Sequence, residues 1–389
     1  MPTPTELAAH PVAGPEGGAS IPLPCCDPAP PSKLPIIEVD DLDWNGIASR
    51  ADAHEVGRRT AEAVLQIERL LDRPEPPGFL FDNFRVSSGD RAIKIEDVDR
   101  RHALWFIGDL HGDLLALEAA VALATRDSAR DGLAPAFVFL GDLFDDGGYP
   151  AATLTRLYEL IIEHPGRVCL IAGNHDEALS RSDRFNSSVQ PSDFADLLNQ
   201  RSDDQWVARM GALAIRLFAK SARALFFPDG LLAAHGGFPL TDLHDRLRET
   251  GCWNDPACLQ DFIWTRAHPT ARRKLPNRHA RGAQFGHQDF ADFCTLAAHL
   301  GRRVSHMVRG HDHVEERFAI YDVDPRHPIL TTVALSRRLD REHSGEYVRA
   351  PTLARYVAGA LPQVYKLEIP PQFVRAAYPE TVDPMDDQL

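Results

Sequence analysis

Hydrophobic and polar residues follow three rhythms along this chain. Residues 1–34 have no period: they are rich in Pro, Gly and Ala and read as a disordered arm. Over 54–73 (HEVGRRTAEAVLQIERLLDR), Val56, Ala63, Val64, Ile67, Leu70 and Leu71 recur at helical spacing, and the prolines of RPEPPG stop the helix. From residue 104, short apolar runs alternate with amphipathic stretches. LWFIG (104–108), AFVFLG (136–141) and RVCLIAG (167–173) read as strands buried on both faces. LLALEAAVALATR (114–126) and AATLTRLYELIIEH (151–164) read as the helices between them. This is the grammar of βαβ units, with a mainly parallel sheet at this edge. Residues 178–230 read as largely helical, most clearly over 206–227, and 240–300 form a long mixed region rich in Arg and His. LLAAHGG (231–237), VSHMVRG (304–310) and ILTTVAL (329–335) return to strand. The chain therefore divides into an arm (1–34), an N-terminal helical and extended elaboration (35–100), a main domain (101–345) carrying a helical insert (178–230), and a C-terminal strand and tail (346–389).

Composition narrows the function. The 389 residues can bury a large core. A formal charge of −14 argues against sequence-independent nucleic-acid binding, which relies on basic surface. No stretch is long and apolar enough to span a bilayer, and the N-terminus lacks a basic segment followed by an apolar one. The 6 cysteines are sparse and irregular, neither a disulfide framework nor a zinc ribbon. Reduced thiols and a cytoplasmic setting are expected, with no nucleic-acid and no membrane partner. The oligomeric state is left open.

The chemistry sits just after the apolar strands, where open α/β sheets place their ligand sites. The loops read GDLHGD (108–113), GDLFDD (141–146), GNHDE (173–177), HGG (235–237) and GHDH (310–313). Each contains glycine, which lets the backbone turn tightly or approach a ligand closely. Each also offers carboxylate, amide oxygen or imidazole, the hard and borderline metal donors. A single aspartate there is ordinarily a helix cap, and Asp113 is read so. Five such loops together point to metal.

These motifs, with FIWTR (262–266) and RGAQFG (281–286) in support, resemble the calcineurin-like metallophosphoesterases, and within them the phosphoprotein phosphatase branch. The likeness runs from about 104 to about 335. It implies an α+β fold of four layers, a central β-sandwich of mixed sheets flanked by helices. It also implies two divalent metal ions (manganese, with iron and zinc as alternatives) bridged by a carboxylate and a hydroxide. By motif position Asp109 and His111 would hold the first ion, Asp142 would bridge, and Asn174, His235 and His311 would hold the second. His175 matches the general acid, Asp145 its carboxylate partner, and Arg281 a phosphate-clamping arginine.

Three departures qualify this resemblance. Asp146 stands where that branch usually has arginine (GDxVDRG), so the clamp must come from elsewhere, with Arg266, Arg309 and Arg184 as alternatives. RGHDH adds His313, which in the wider superfamily's GHxH ending ligates the first metal. The eukaryotic SAPNY segment is replaced by TTVALSRRLDREH, which suggests a bacterial-like member. The insert over 178–206, with Ser192 as its expected helix cap, is placed to line or lid the cleft. The expected activity is hydrolysis of phosphomonoesters on phosphorylated protein or peptide, at Ser/Thr and by extension Tyr. A small-molecule phosphoester hydrolase (dinucleoside polyphosphate hydrolase or nucleotidase) and an inactive phosphate-binding protein are the alternatives.

Overall fold

The apolar runs that lack alternation become buried strands of two stacked sheets. The protein is described from a computed structural model covering residues 36–73, 78–278, 280–339, 342 and 350–379; the arm expected over 1–34 and the end of the tail lie outside the described residues. One six-stranded sheet has the order Ile36–Val39, Gln363–Leu367, Thr352–Arg355, His102–Ile107, Ala134–Phe139, Val168–Leu170. Its last three strands are mutually parallel, whereas Thr352–Arg355 is antiparallel to both neighbours. The other has the order Phe318–Tyr321, Ile329–Thr332, His306–Arg309, Leu231–Ala234, Ala224–Phe226, Ala92–Lys94 and is likewise mixed.

Alternate residues of one strand serve two cores. Leu104 and Phe106 turn between the sheets and pack with Ile93, Leu225, Leu231 and Val308. Trp105 and Ile107 turn the other way, into the cluster that includes Leu117 and Leu157 from the helices Leu114–Arg130 and Pro150–Glu163. Each fully buried side chain of this size contributes about 1.5–3 kcal/mol. On the far face of the second sheet, Phe226 and Leu232 meet Phe262, Phe290 and Phe293 from the helices Pro256–Trp264 and His287–His299. The layers are thus helix, sheet, sheet, helix, the α+β sandwich expected. Among the described residues no helix is long and apolar enough to cross a membrane.

The structure corrects several elements. The helix expected over 54–73 is two, Ala53–Gly57 and Thr60–Leu71. Asp52 caps the first, and Gly57, a poor helix former, ends it. The run over 206–227 is helical only through Lys220; its end, Ala224–Phe226, is a strand. A short unbroken apolar run suits either state, and pairing with Leu231–Ala234 and Ala92–Lys94 selects the strand. The insert also contains a hairpin, Leu179–Arg181 against Phe185–Ser187. Asn174–Ala178, expected as loop, is one helical turn and a half. Beyond 350 lie two strands and the helix Pro371–Ala377.

One buried histidine makes the sandwich acid-sensitive. His306 is 7% exposed, and its Nε2 has no hydrogen-bond partner among the described residues. Burial, aided by Arg303 and opposed by Asp229, lowers its pKa to about 4. A neutral imidazole of this kind favours the fold above its unfolded value of about 6.5 and loses that advantage as pH falls toward 4. In urea unfolding of the metal-free protein between pH 7 and pH 5, His306→Gln is expected to remove about 2 kcal/mol of the wild-type loss.

Candidate metal centre

Five strands deliver the polar loops to one end of the sandwich. Asp109 follows His102–Ile107, Asp142 follows Ala134–Phe139, and Asn174 follows Val168–Leu170. His235 follows Leu231–Ala234, and His311 follows His306–Arg309. The loops bend sharply: His111, Asp142, Asp145, Asp146 and His311 have φ of 44, 52, 68, 62 and 71°. That left-handed region costs a non-glycine residue of order 1 kcal/mol or more, so the surrounding bonds must hold each turn. Two glycines permit the close approach. A Cβ on Gly173 would strike the Asp142 carboxylate, and one on Gly310 the Asp109 carboxylate.

The donors converge in two groups. In one, His235 Nδ1 lies 2.8 Å from the Leu140 carbonyl, which can only accept, so Nδ1 carries the proton. Its Nε2 then faces Asn174 Oδ1 at 3.1 Å, His311 Nδ1 at 3.0 Å and Asp142 Oδ2 at 3.3 Å. One proton on Nε2 could satisfy only one of these three acceptors. Spacings near 3 Å are those of adjacent donors on a single ion held at about 2.1 Å. In the other group, His313 Nε2 is 3.2 Å from Asp109 Oδ2, and the His313 and His111 rings lie edge to face at 5.1 Å. His313 Nδ1 faces Glu342 Oε1 at 3.6 Å, and Glu342 is forked by Arg317 at 2.6 and 2.9 Å. That carboxylate–histidine geometry turns Nε2 toward Asp109. Asp142 lies between the groups, with Oδ2 3.8 Å from His111 Nε2.

Electrostatics agree with a cation site. Asp109, Asp142, Asp145 and Asp176 are all at most 2% exposed. Burial opposes ionisation of Asp142, yet His235, His175 and His111 outweigh it and hold the carboxyl well below the usual range. Burial, with the charge of Arg266, keeps His311 neutral and able to donate a lone pair. Buried carboxylates at this density are costly without compensating positive charge, and a divalent metal on this donor set would supply it.

His175 stands beside the donors. Its Nδ1 is 3.1 Å from Asp145 Oδ2, and its ring is edge-on to His111 at 5.0 Å. Burial disfavours the imidazolium, but Asp142, Asp145 and Asp146 together raise it to about 9. Burial also raises Asp145, so the pair retains a proton.

The arginines lie apart from one another. Arg281 is exposed, with its guanidinium 4.7 Å from the Trp264 ring and Nε donating to the Gln260 side-chain oxygen at 2.7 Å. Trp264 Nε1 in turn donates to Glu177 at 3.0 Å, beside the Asn174 turn. Arg266 donates to the His311 carbonyl at 2.6 Å and to Asp312, and its side chain stays partly exposed. Arg309, one of the expected alternatives for the clamp, is fully buried and spent on the Gly236 carbonyl, Asp312 and Thr331. Arg184 is exposed in the hairpin turn. Asp146 turns inward, its carboxylate 3.9 Å from His111 Nδ1.

Two anchoring residues escaped the sequence reading. Asp176 accepts from the backbone N–H of Gly173, Asp142 and Leu143 at 2.8, 2.8 and 3.1 Å, locking two ligand loops together. An acidic residue three places after Gly173 is the capping-box signal that could have identified it. Glu342 carried no local signal. Asp113 caps the helix Leu114–Arg130, as expected, through Ala116 N. Ser192 makes no capping bond.

A strand-end cluster of buried aspartate, histidine and asparagine on a four-layer sandwich defines a metal-binding α/β/β/α protein. The chain belongs to the calcineurin-like phosphoesterases, whose family model matches residues 102–315, more than half of its length. It is 24% identical over 221 residues to the serine/threonine-protein phosphatase PP2A-like PPG1 of Candida albicans, covering 55% of this chain and 48% of that protein. It is 38% identical over 73 residues to the serine/threonine-protein phosphatase SIT4 of the same organism, covering 18% of this chain and 22% of that protein. The chain thus spans about half the length of the first relative and about a fifth of the second. Among solved structures it is similar to a protein serine/threonine phosphatase from Saccharomyces cerevisiae with similarity to human phosphatase PP5, at TM-score 0.47 and 14% identity, covering 81% and 88% of the two chains.

Proposed function

We propose that this chain is a metal-dependent phosphoric monoester hydrolase. The observation that carries the reading is the convergence of His235 Nε2, Asn174 Oδ1, His311 Nδ1 and Asp142 Oδ2 beside Asp109, His111 and His313. Asp109, His111 and His313 would hold one divalent ion, Asn174, His235 and His311 a second, and Asp142 would bridge them. Ions bound there would supply Lewis-acid polarisation of a phosphoryl group, a more acidic water and stabilisation of developing charge. Manganese, iron and zinc all suit donors of this kind.

The residues around the ions divide the remaining work. His175 donates a proton from Nε2 to the departing oxygen, while Asp145 accepts from Nδ1–H and so fixes tautomer and ring. Arg281, held on Trp264, and Arg266, held on Asp312, are the proposed phosphate contacts. The Phe144 carbonyl, 3.3 Å from Nδ1, orients the His111 ring, and Asp146 lies 3.9 Å from that nitrogen, in one group with His111 and His175. All these groups fall within 101–345, the proposed hydrolase domain, and a cytoplasmic setting is proposed with it.

The proposed substrate is phosphorylated protein, at serine or threonine by likeness to the two Candida albicans phosphatases, and by extension at tyrosine. Asp146 favours a second reading, a small phosphoester with a different leaving group, because it removes a positive charge from the loop. Manganese-dependent hydrolysis of p-nitrophenyl phosphate that chelator abolishes is expected, with phosphopeptides turned over faster than diadenosine polyphosphates. The reverse preference would establish the second reading.

A further inference from the structure

We propose that Asp193, the first residue of the insert helix Asp193–Gln200, is a positioning residue that holds Asp145 against His175. The proposal rests on the reading of His175 as general acid. Asp193 reaches across 47 residues of sequence to the backbone of the GDLFDDGG loop, accepting from Asp146 N–H at 2.9 Å on Oδ1 and from Gly147 N–H at 2.7 Å on Oδ2. The next residue returns the contact: Phe194 N–H donates to Asp145 Oδ1 at 2.9 Å. Asp145 Oδ2 is the oxygen that meets His175 Nδ1 at 3.1 Å. The first turn of the insert therefore grips both the backbone after Asp145 and one oxygen of its carboxylate, leaving the other for the histidine.

The loop needs such a grip. Asp145 and Asp146 are consecutive non-glycine residues at φ of 68 and 62°. Each gains from relaxing to negative φ, and that relaxation would swing the Asp145 carboxylate away from His175. Phe194 anchors the opposite side: it is fully buried and packs on Phe144 with ring centroids 4.5 Å apart. Asp193 itself is only partly buried, so its replacement opens no core cavity. The insert acts here as a strut for the acid, and need not cover the cleft to influence turnover.

The test compares p-nitrophenyl phosphate, whose leaving group departs readily without a proton, with phenyl phosphate, whose leaving group needs one. In manganese-loaded protein, Asp193→Ala is expected to lower kcat for phenyl phosphate about 10- to 50-fold and for p-nitrophenyl phosphate less than about threefold. KM and bound manganese should be unchanged. Asp193→Asn, which keeps one acceptor, should show a smaller loss with the same bias, and carries the test if the alanine variant does not fold. His175→Asn is measured alongside. If it slows both esters equally, the reading of His175 fails and this proposal with it. If His175→Asn shows the bias while folded Asp193 variants match the wild type or slow both esters equally, the proposal alone is overturned.

Discussion

Replacing His175 by asparagine is expected to lower kcat on phenyl phosphate and on phosphopeptides by about 10²–10⁴-fold while leaving the metal content intact. The expectation follows from position. His175 is 4% exposed and edge-on to His111, and its Nδ1 belongs to Asp145, which leaves Nε2 for the departing oxygen. Asparagine preserves the backbone bond from residue 175 N–H to Asp142 Oδ1, now 2.9 Å, so the loop that presents Asp142 is kept. Steady-state kinetics on phenyl phosphate and p-nitrophenyl phosphate, with metal analysis of the same samples, checks it, and p-nitrophenyl phosphate is expected to lose far less. Equal loss on both esters together with loss of metal would instead make His175 part of the binding site.

Asp142→Asn should have a still larger effect. Its Oδ2 is 3.3 Å from His235 Nε2 and 3.8 Å from His111 Nε2, so one oxygen of this carboxylate faces a ring nitrogen of each donor group. The neutral amide removes a negative charge that three histidines hold ionised. Bound manganese should fall from two to one or fewer per chain, and turnover by at least about 10³-fold, as when a principal electrostatic stabiliser is lost. The fold should survive, because the amide oxygen can still accept from His175 N–H. Full manganese stoichiometry in a folded Asp142→Asn protein would contradict the bridging role.

Much of this arrangement was legible because it is encoded locally. Strands such as Leu104–Ile107 are buried on both faces, so they write themselves as unbroken apolar runs, and ligand loops follow such strands in any open parallel sheet. The strands Ile36–Val39 and Ala92–Lys94 were not legible. They are short, both lie at sheet edges, and their partners are more than a hundred residues away. Ala224–Phe226 misled for the opposite reason, since no glycine or proline separates it from the helix Gln205–Lys220. In the site, residues inside a motif could be placed by their neighbours in sequence. Glu342 facing His313 and Asp193 facing the Asp146 amide are tertiary pairings with no local signature. Arg309 stood beside a ligand motif and was still misjudged, because only the packing shows its guanidinium spent on the Gly236 carbonyl and Asp312.

The central claim is that the clustered aspartates, histidines and asparagine hold two divalent ions that serve phosphoester hydrolysis. Its most direct test is a manganese titration of metal-free protein, with bound metal and p-nitrophenyl phosphate turnover read on the same samples. Two equivalents bound per chain, with turnover rising as the second site fills, is the predicted result. Folded protein that binds neither manganese, iron nor zinc at these residues and hydrolyses no phosphoester would contradict the account.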